Sequence, residues 1–202
     1  MKIVLASGNE GKLKEFSQLL TPYSLEIHPQ SDFDVIPPEE TGLTFVENAI
    51  IKARYASEIS GLPALSDDSG LSIDALDGRP GIYSARYSND VTQGNATDQS
   101  NIDLVLAQLK ALNSSNRRAR FHCVLVYMSH AADPTPLVCH GQWEGEIVEQ
   151  QSGVGGFGYD PIFYVPEFKC TAAELSKTDK NSISHRGKAL RQLISQVDQI
   201  KP

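Results

Sequence analysis

With 202 residues, a formal net charge of −7, and 40% hydrophobic against 21% charged residues, the chain reads as one folded domain, 1–202, with enough apolar material for a sizeable core. No run approaches the roughly 18 apolar residues of a membrane span, and the acidic balance argues against a protein that coats nucleic acid while leaving room for a small anionic ligand where basic residues cluster. Three cysteines, Cys123, Cys139 and Cys170, are odd in number and lack metal-ligand spacing, which speaks against a disulfide framework or zinc site and makes a reducing cytoplasm the expected compartment.

Met1 to Glu10 carries one basic residue and a short apolar run, the pattern of a strand rather than a signal peptide. Lys2 to Ala6 predicts that strand, and it runs into Ser7-Gly8-Asn9-Glu10-Gly11-Lys12, after which Leu13, Phe16, Leu19 and Leu20 recur at helical spacing. Strand, glycine-rich turn and helix suit an anion: glycine lets the backbone approach it, the first helical N–H groups are unsatisfied, and Lys12 adds charge. The spacing is not that of a Walker loop, and a plain turn capped by Ser7 or Asn9 explains the same residues.

Leu25 to His28 offers a second strand, and the loop Pro37 to Gly42, which contains Glu40, leads to a helix signalled by Thr44 and Glu47 as a capping box. Phe45, Val46, Ala49, Ile50, Ala53 and Ala56 form its apolar stripe, so capping is favoured over catalysis for Glu47. Asn48 and Lys52 share another face. A lysine beside a phosphate loop is a candidate phosphate ligand, whereas elsewhere it is solvated surface.

Pro63 to Ser66 and Leu71 to Asp74 predict strands flanking an Asp67-Asp68-Ser69-Gly70 turn. Successive side chains of extended backbone point to opposite faces, so only one aspartate faces a given cleft and the other is free to hold the turn. Ile82 to Tyr87 presents Arg86 between two tyrosines, Ser88 to Thr97 predicts a mobile loop, and a helix follows from Asp98. Phe121 to Met128 and Leu137 to Val148 predict a long antiparallel pair; the second alternates, with Leu137, Cys139, Trp143 and Ile147 inward and His140, Gln142, Glu144 and Glu146 outward. Gly153 to Pro161 is either a flexible loop or a backbone brought close to a planar ligand, with Phe157 and Tyr159 as stacking surfaces. Ser184 to Lys188 opens a last helix, where His185 and Arg186 oppose the macrodipole unless an anion or acceptor is bound.

A phosphate-compatible turn, carboxylates at Glu40 and Asp68, a stacking loop and basic Lys180, His185 and Arg186 together match the needs of a nucleoside triphosphate, whose phosphates bring Mg²⁺. The motifs Ser7 to Lys12, Glu40-Thr41-Gly42-x-Thr44-Phe45-x-Glu47-Asn48-Ala49, Asp67 to Leu71, Gly81-x-Tyr83-Ser84-Ala85-Arg86-Tyr87, Gly156 to Pro161 and Ser184 to Gly187 resemble, in order and over nearly the whole chain, those of the bacterial XTP/dITP diphosphatases and their inosine triphosphatase relatives.

That resemblance implies an α/β fold: an elongated two-lobed subunit with a long twisted mixed β-sheet flanked by helices, an active cleft between the lobes, and a homodimer. It implies Mg²⁺-dependent hydrolysis of non-canonical purine triphosphates (ITP, dITP, XTP) to monophosphate and pyrophosphate. By the same resemblance Asp68 is the proton acceptor and a metal ligand, Glu40 a further metal ligand, Ser7, Gly8, Asn9, Glu10, Gly11 and Lys12 the triphosphate loop, and Ser69, Phe157, Gly158, Tyr159, Asp160, Lys180, His185 and Arg186 substrate contacts. Lys52 joins them as a phosphate candidate, and Asp67 and Arg86 are unassigned. The competing readings are a nucleotide pyrophosphatase of other base preference and a nucleotide-binding sensor without turnover.

Overall fold

The computed structural model describes residues 1–200, apart from the side chains of Glu10, Glu15, Leu19 and Gln199. In chain order the elements are β1 (Lys2–Ala6), α1 (Glu10–Leu20), β2 (Glu26–Pro29), α2 (Phe45–Ser60), β3 (Ala64–Ile73), α3 (Asn89–Thr92), α4 (Asp98–Leu112), β4 (Arg118–Met128), β5 (Leu137–Ile147), β6 (Phe163–Val165), β7 (Cys170–Thr171), α5 (Lys177–Ile183), α6 (His185–Ser195) and α7 (Val197–Ile200). The strands make one sheet in the order β2-β1-β3-β4-β5-β6-β7. It is mixed, as expected. β1 pairs in parallel with β2 and β3, with α1 and α2 available as crossovers, whereas β6 pairs antiparallel with both β5 and β7.

The chain divides into two compact units, the first made of Met1–Asp68, Cys123–His140 and Ala189–Pro202, the second of Ser69–His122 and Gly141–Lys188. In unit 1, β1 is buried on both faces, and its alternation assigns each residue to one of two cores. Ile3 and Leu5 join Phe16 and Leu20 of α1 and Leu190 and Leu193 of α6. Val4 and Ala6 join Ala49, Ala53 and Ala56 of α2 and Val124, Val126 and Met128 of β4. The alanine stripe on α2 lets the helix lie close to the sheet. In unit 2, Leu71 and Ile73 of β3 pack with Ile102, Val105 and Leu109 of α4 and with Phe121, Trp143 and Phe163. The ring centroids of Phe121 and Phe163 are 4.5 Å apart. Burying each large side chain contributes roughly 1.5–3 kcal/mol.

β5 alternates as its sequence predicts, with Cys139, Trp143 and Ile147 buried and His140, Glu144 and Glu146 exposed. Two expectations are corrected. The Asp67-Asp68-Ser69-Gly70 segment is no turn: β3 runs through it unbroken, with both aspartates buried. Buried carboxylates in a strand need cationic partners, and these partners lie far away in sequence. Ser88 to Thr97 is not wholly loop, because Asn89–Thr92 forms the short helix α3. Among the described residues no helix is long and apolar enough to cross a membrane.

Candidate functional site

Unit 1 brings together the first group of candidates. β1 ends at Ala6, and Asn9 caps α1, its Oδ1 accepting the Lys12 N–H at 3.0 Å. Ser7 supports the cap rather than forming it, its Oγ accepting the Asn9 N–H at 3.2 Å. Gly8 precedes Asn9 in an exposed turn and Gly11 lies in the first turn of α1; the Glu10 side chain lies outside the described residues. From the first turn of α1, Lys12 directs its ammonium to Oδ1 of Asp67, whose side chain is fully buried. The thiol of Cys123 donates to the other Asp67 oxygen at 3.2 Å.

A second lysine serves the next residue of β3. Thr44 caps α2, its Oγ1 accepting the Glu47 N–H at 3.3 Å, while the Glu47 carboxylate accepts from the Leu43 N–H at 2.9 Å and the Thr44 hydroxyl at 2.8 Å. Glu47 therefore has the capping role that its spacing predicts, and the Thr44 bond, followed by the Leu43 N–H, holds its carboxyl below the usual carboxylate range. Asn48 Oδ1 accepts the Gly42 N–H at 2.8 Å. A Cβ on Gly42 would lie 2.6 Å from Glu47 Cβ and 2.7 Å from Asn48 Oδ1, so only glycine seats this loop, and Glu40 with it, on the start of α2. One turn along, Lys52 Nζ donates to Glu40 Oε1 at 2.9 Å, to the Asp67 carbonyl at 2.9 Å and to Asp68 Oδ1 at 2.6 Å.

Burial pulls the Lys52 ammonium down, but the charges and hydrogen bonds of Asp68 and Glu40 outweigh it and the net shift is upward. Asp68 goes the other way from a simple ion pair: burial pushes it up, Lys52 pulls it back, and the charges of Glu40 and Asp67 add to the push, leaving it at about 6. Its Oδ2 is buried with no hydrogen-bond partner. Among the described residues no three His, Cys, Asp or Glu side chains converge as a metal site, so the hard oxygen donors are the two carboxylates that share Lys52.

Unit 2 brings together the second group. Asp160 Oδ2 receives the Phe157 N–H at 2.9 Å and the Lys180 ammonium. Phe157, 57% exposed, presents its ring to two cations, Lys180 Nζ at 5.2 Å and Arg186 Cζ at 5.7 Å from the centroid. His185 and Arg186 are each only 7% exposed, and the His185 ring stacks on Phe121 at 4.8 Å. The Ser184 hydroxyl accepts the Gly187 N–H at 3.2 Å, so α6 is capped despite its basic first turn. Lys180, by contrast, is not misplaced: it lies in the last turn of α5, where a cation suits the dipole. Tyr159 is also corrected. It is no exposed stacking surface but a core ring, 4% exposed, whose hydroxyl donates to the Ser84 carbonyl at 2.8 Å. Ser69 is half-buried at the start of the unit.

Sequence reasoning alone missed Cys123 as the second partner of Asp67, Asn48 as the seat of Gly42, and Asp98, whose Oδ2 accepts the Gly158 N–H at 2.7 Å. Only the alternation of Asp67 and Asp68 hinted that each would need its own partner.

In unit 1, clustered lysines and carboxylates can handle phosphate, and in unit 2 an aromatic ring framed by cations can hold a planar group; each is the equipment of an α/β enzyme that acts on a nucleotide. The chain belongs to the Ham1 family, whose family model matches residues 3–196. It is 58% identical over 193 residues to the dITP/XTP pyrophosphatase of Pectobacterium atrosepticum, covering 96% of each chain, and 56% identical over the same length and coverage to that of Escherichia coli K12. In structure it is similar to a HAM1 protein from Coxiella burnetii, with TM-score 0.93 and 54% identity over 98% of this chain and 99% of that one. The Staphylococcus aureus Ham1 protein follows with TM-score 0.89 and 40% identity over the whole of both.

Proposed function

We propose that this chain hydrolyses non-canonical purine nucleoside triphosphates, dITP, XTP and ITP, to the monophosphate and pyrophosphate, and that it acts as a single Mg²⁺-dependent domain in a cytoplasmic homodimer. The substrate class follows from relatives more than half identical over nearly the full chain. The observation that carries the chemistry is Asp68: a buried carboxylate raised to about 6, with one oxygen on Lys52 and the other without a partner.

The residues fit the metal. An orphaned buried oxygen on Asp68 and the nearby Glu40 supply the one or two carboxylates that Mg²⁺ takes when phosphates provide the rest. Held there, Mg²⁺ would supply positive charge that offsets the charge of the phosphates. Ionised Asp68 accepts the proton of the water that attacks the α-phosphorus, the α–β anhydride bond breaks, and pyrophosphate leaves. Lys12 and Lys52 offset the negative charge that develops, while the Ser7 to Lys12 turn supplies backbone donors to the phosphates. Phe157 stacks on the base with Lys180 and Asp160 holding its surroundings. His185 and Arg186 donate to the 6-oxo group of hypoxanthine or xanthine, where adenine would present an amino donor; such a polar mismatch discriminates by up to about 10⁴.

Incubation of the purified protein with dITP, XTP, ITP, ATP, GTP and dUTP, with Mg²⁺ and with excess chelator, tests this reading. Pyrophosphate from the first three alone, and only with metal, is expected. Orthophosphate as first product, or equal rates on ATP, would overturn it.

A further inference from the structure

Phe157 is exposed, yet the peptide groups on both sides of its Cα are pinned by carboxylates. Its own N–H donates to Asp160 Oδ2 at 2.9 Å, and the next N–H, that of Gly158, donates to Asp98 Oδ2 at 2.7 Å. Asp160 is three residues away and adjoins the ring's cations. Asp98 is sixty residues away, exposed, and in the first turn of α4, behind the Thr97 cap.

The same end of α4 reaches the glycine loop by a second route. Asn101 Nδ2 donates to the carbonyls of Ser84, at 3.3 Å, and Ala85, at 3.2 Å, while its Oδ1 accepts the Ser88 N–H at 2.8 Å. The Ser84 carbonyl in turn receives the Tyr159 hydroxyl at 2.8 Å. The Gly81 to Tyr87 motif, which has no task in the reaction as described, thus ties the start of α4 to the residue two places after Phe157. An exposed loop that must offer a ring at a fixed height and tilt needs its backbone fixed from outside itself, because its glycines supply no side chains to do so.

We infer that Asp98 is a positioning residue for the Phe157 platform: by holding the Gly158 N–H it fixes the ring against which the base stacks, an inference that rests on the base-binding role proposed above for Phe157. Asp98 acts through the Gly158 backbone, whose N–H it accepts. Its competing role is to complement the α4 dipole, and this separates cleanly, because asparagine keeps an acceptor oxygen for Gly158 but removes the charge.

The test compares Asp98→Ala and Asp98→Asn by steady-state kinetics on dITP and by amide hydrogen exchange at Gly158. Asp98→Ala should raise KM roughly three- to tenfold, the range that loss of one hydrogen bond allows, with kcat within about twofold and faster exchange at Gly158. Asp98→Asn should restore both. A folded Asp98→Ala protein with unchanged KM, or an Asp98→Asn protein as impaired as the alanine variant, would overturn the inference. Should the wild type release no pyrophosphate from dITP, the functional reading fails by itself, and the exchange data decide the geometry: unchanged Gly158 exchange in Asp98→Ala removes Asp98 from this role.

Discussion

Asp68 is held where its charged form is least welcome. Its carboxyl is raised from 3.8 to about 6, because burial and the charges of Glu40 and Asp67 outweigh the pull of Lys52. The sign for stability follows directly. Below pH 3.8 the group is protonated in both folded and unfolded chains and contributes nothing; between 3.8 and about 6 the folded state holds the proton more tightly, so stability falls as pH rises; above 6 the full cost stands, roughly 3 kcal/mol at about 1.4 kcal/mol per pH unit. In metal-free protein, Asp68→Asn should therefore flatten the denaturation midpoint between pH 4 and 6, and with Mg²⁺ present it should abolish turnover while leaving nucleotide binding measurable. Retained turnover would remove Asp68 as the base. For the wild type, activity should rise as pH passes about 6 from below, with the midpoint moving lower as Mg²⁺ is raised, since a bound cation favours the carboxylate. On the substrate side, Arg186→Ala should raise KM for dITP and narrow the dITP/dATP ratio; an unchanged ratio would take Arg186 out of the base site.

Elements hold these residues in place through their ends and close approaches. Thr44 and Glu47 close the first turn of α2 and, with Asn48, seat the loop that carries Glu40. Thr44→Ala should cost about 1 kcal/mol in a denaturant titration. Gly156 is less replaceable: at φ 76° it adopts a conformation that side chains resist, and a Cβ there would run into Asp160 Oδ2. Gly156→Ala should therefore raise KM for dITP about five- to 150-fold, the equivalent of the roughly 1–3 kcal/mol of a strained backbone, with little change in global melting temperature. The contrast explains what could be read from the chain alone. Asn9 with Lys12, Thr44 with Glu47 and the alternation of β5 are local patterns whose partners lie within four residues, so the sequence displays them directly. The uninterrupted course of β3 through two aspartates depends on Lys12 and Lys52, and the burial of Tyr159 depends on Ser84, 75 residues away. Turn propensity argued for the wrong state at Asp-Asp-Ser-Gly because the charges that reverse it arrive from two helices.

At the scale of the molecule, stability comes from apolar cores rather than covalent cross-links. Cys123 and Cys139 are buried and Cys170 half-buried, none of the three forms a disulfide, and burial pushes the Cys139 thiol up to about 11. A reductant should leave the melting temperature unchanged, and a drop on adding dithiothreitol would contradict this. Unit 1 is also discontinuous. Its first strand, carrying Ile3 and Leu5, is covered by Ala189, Leu190, Leu193, Val197 and Ile200, nearly the whole chain later. On the ribosome these ends meet last. Unit 2 holds all of its segments once Lys188 has emerged, whereas the core that packs Ile3 and Leu5 stays open until α6 and α7 clear the exit tunnel. The nascent enzyme thus completes the scaffold of its ring platform before the core on the Ile3 and Leu5 face of β1, and a message cut short before Ala189 yields a chain that leaves that face without part of its cover.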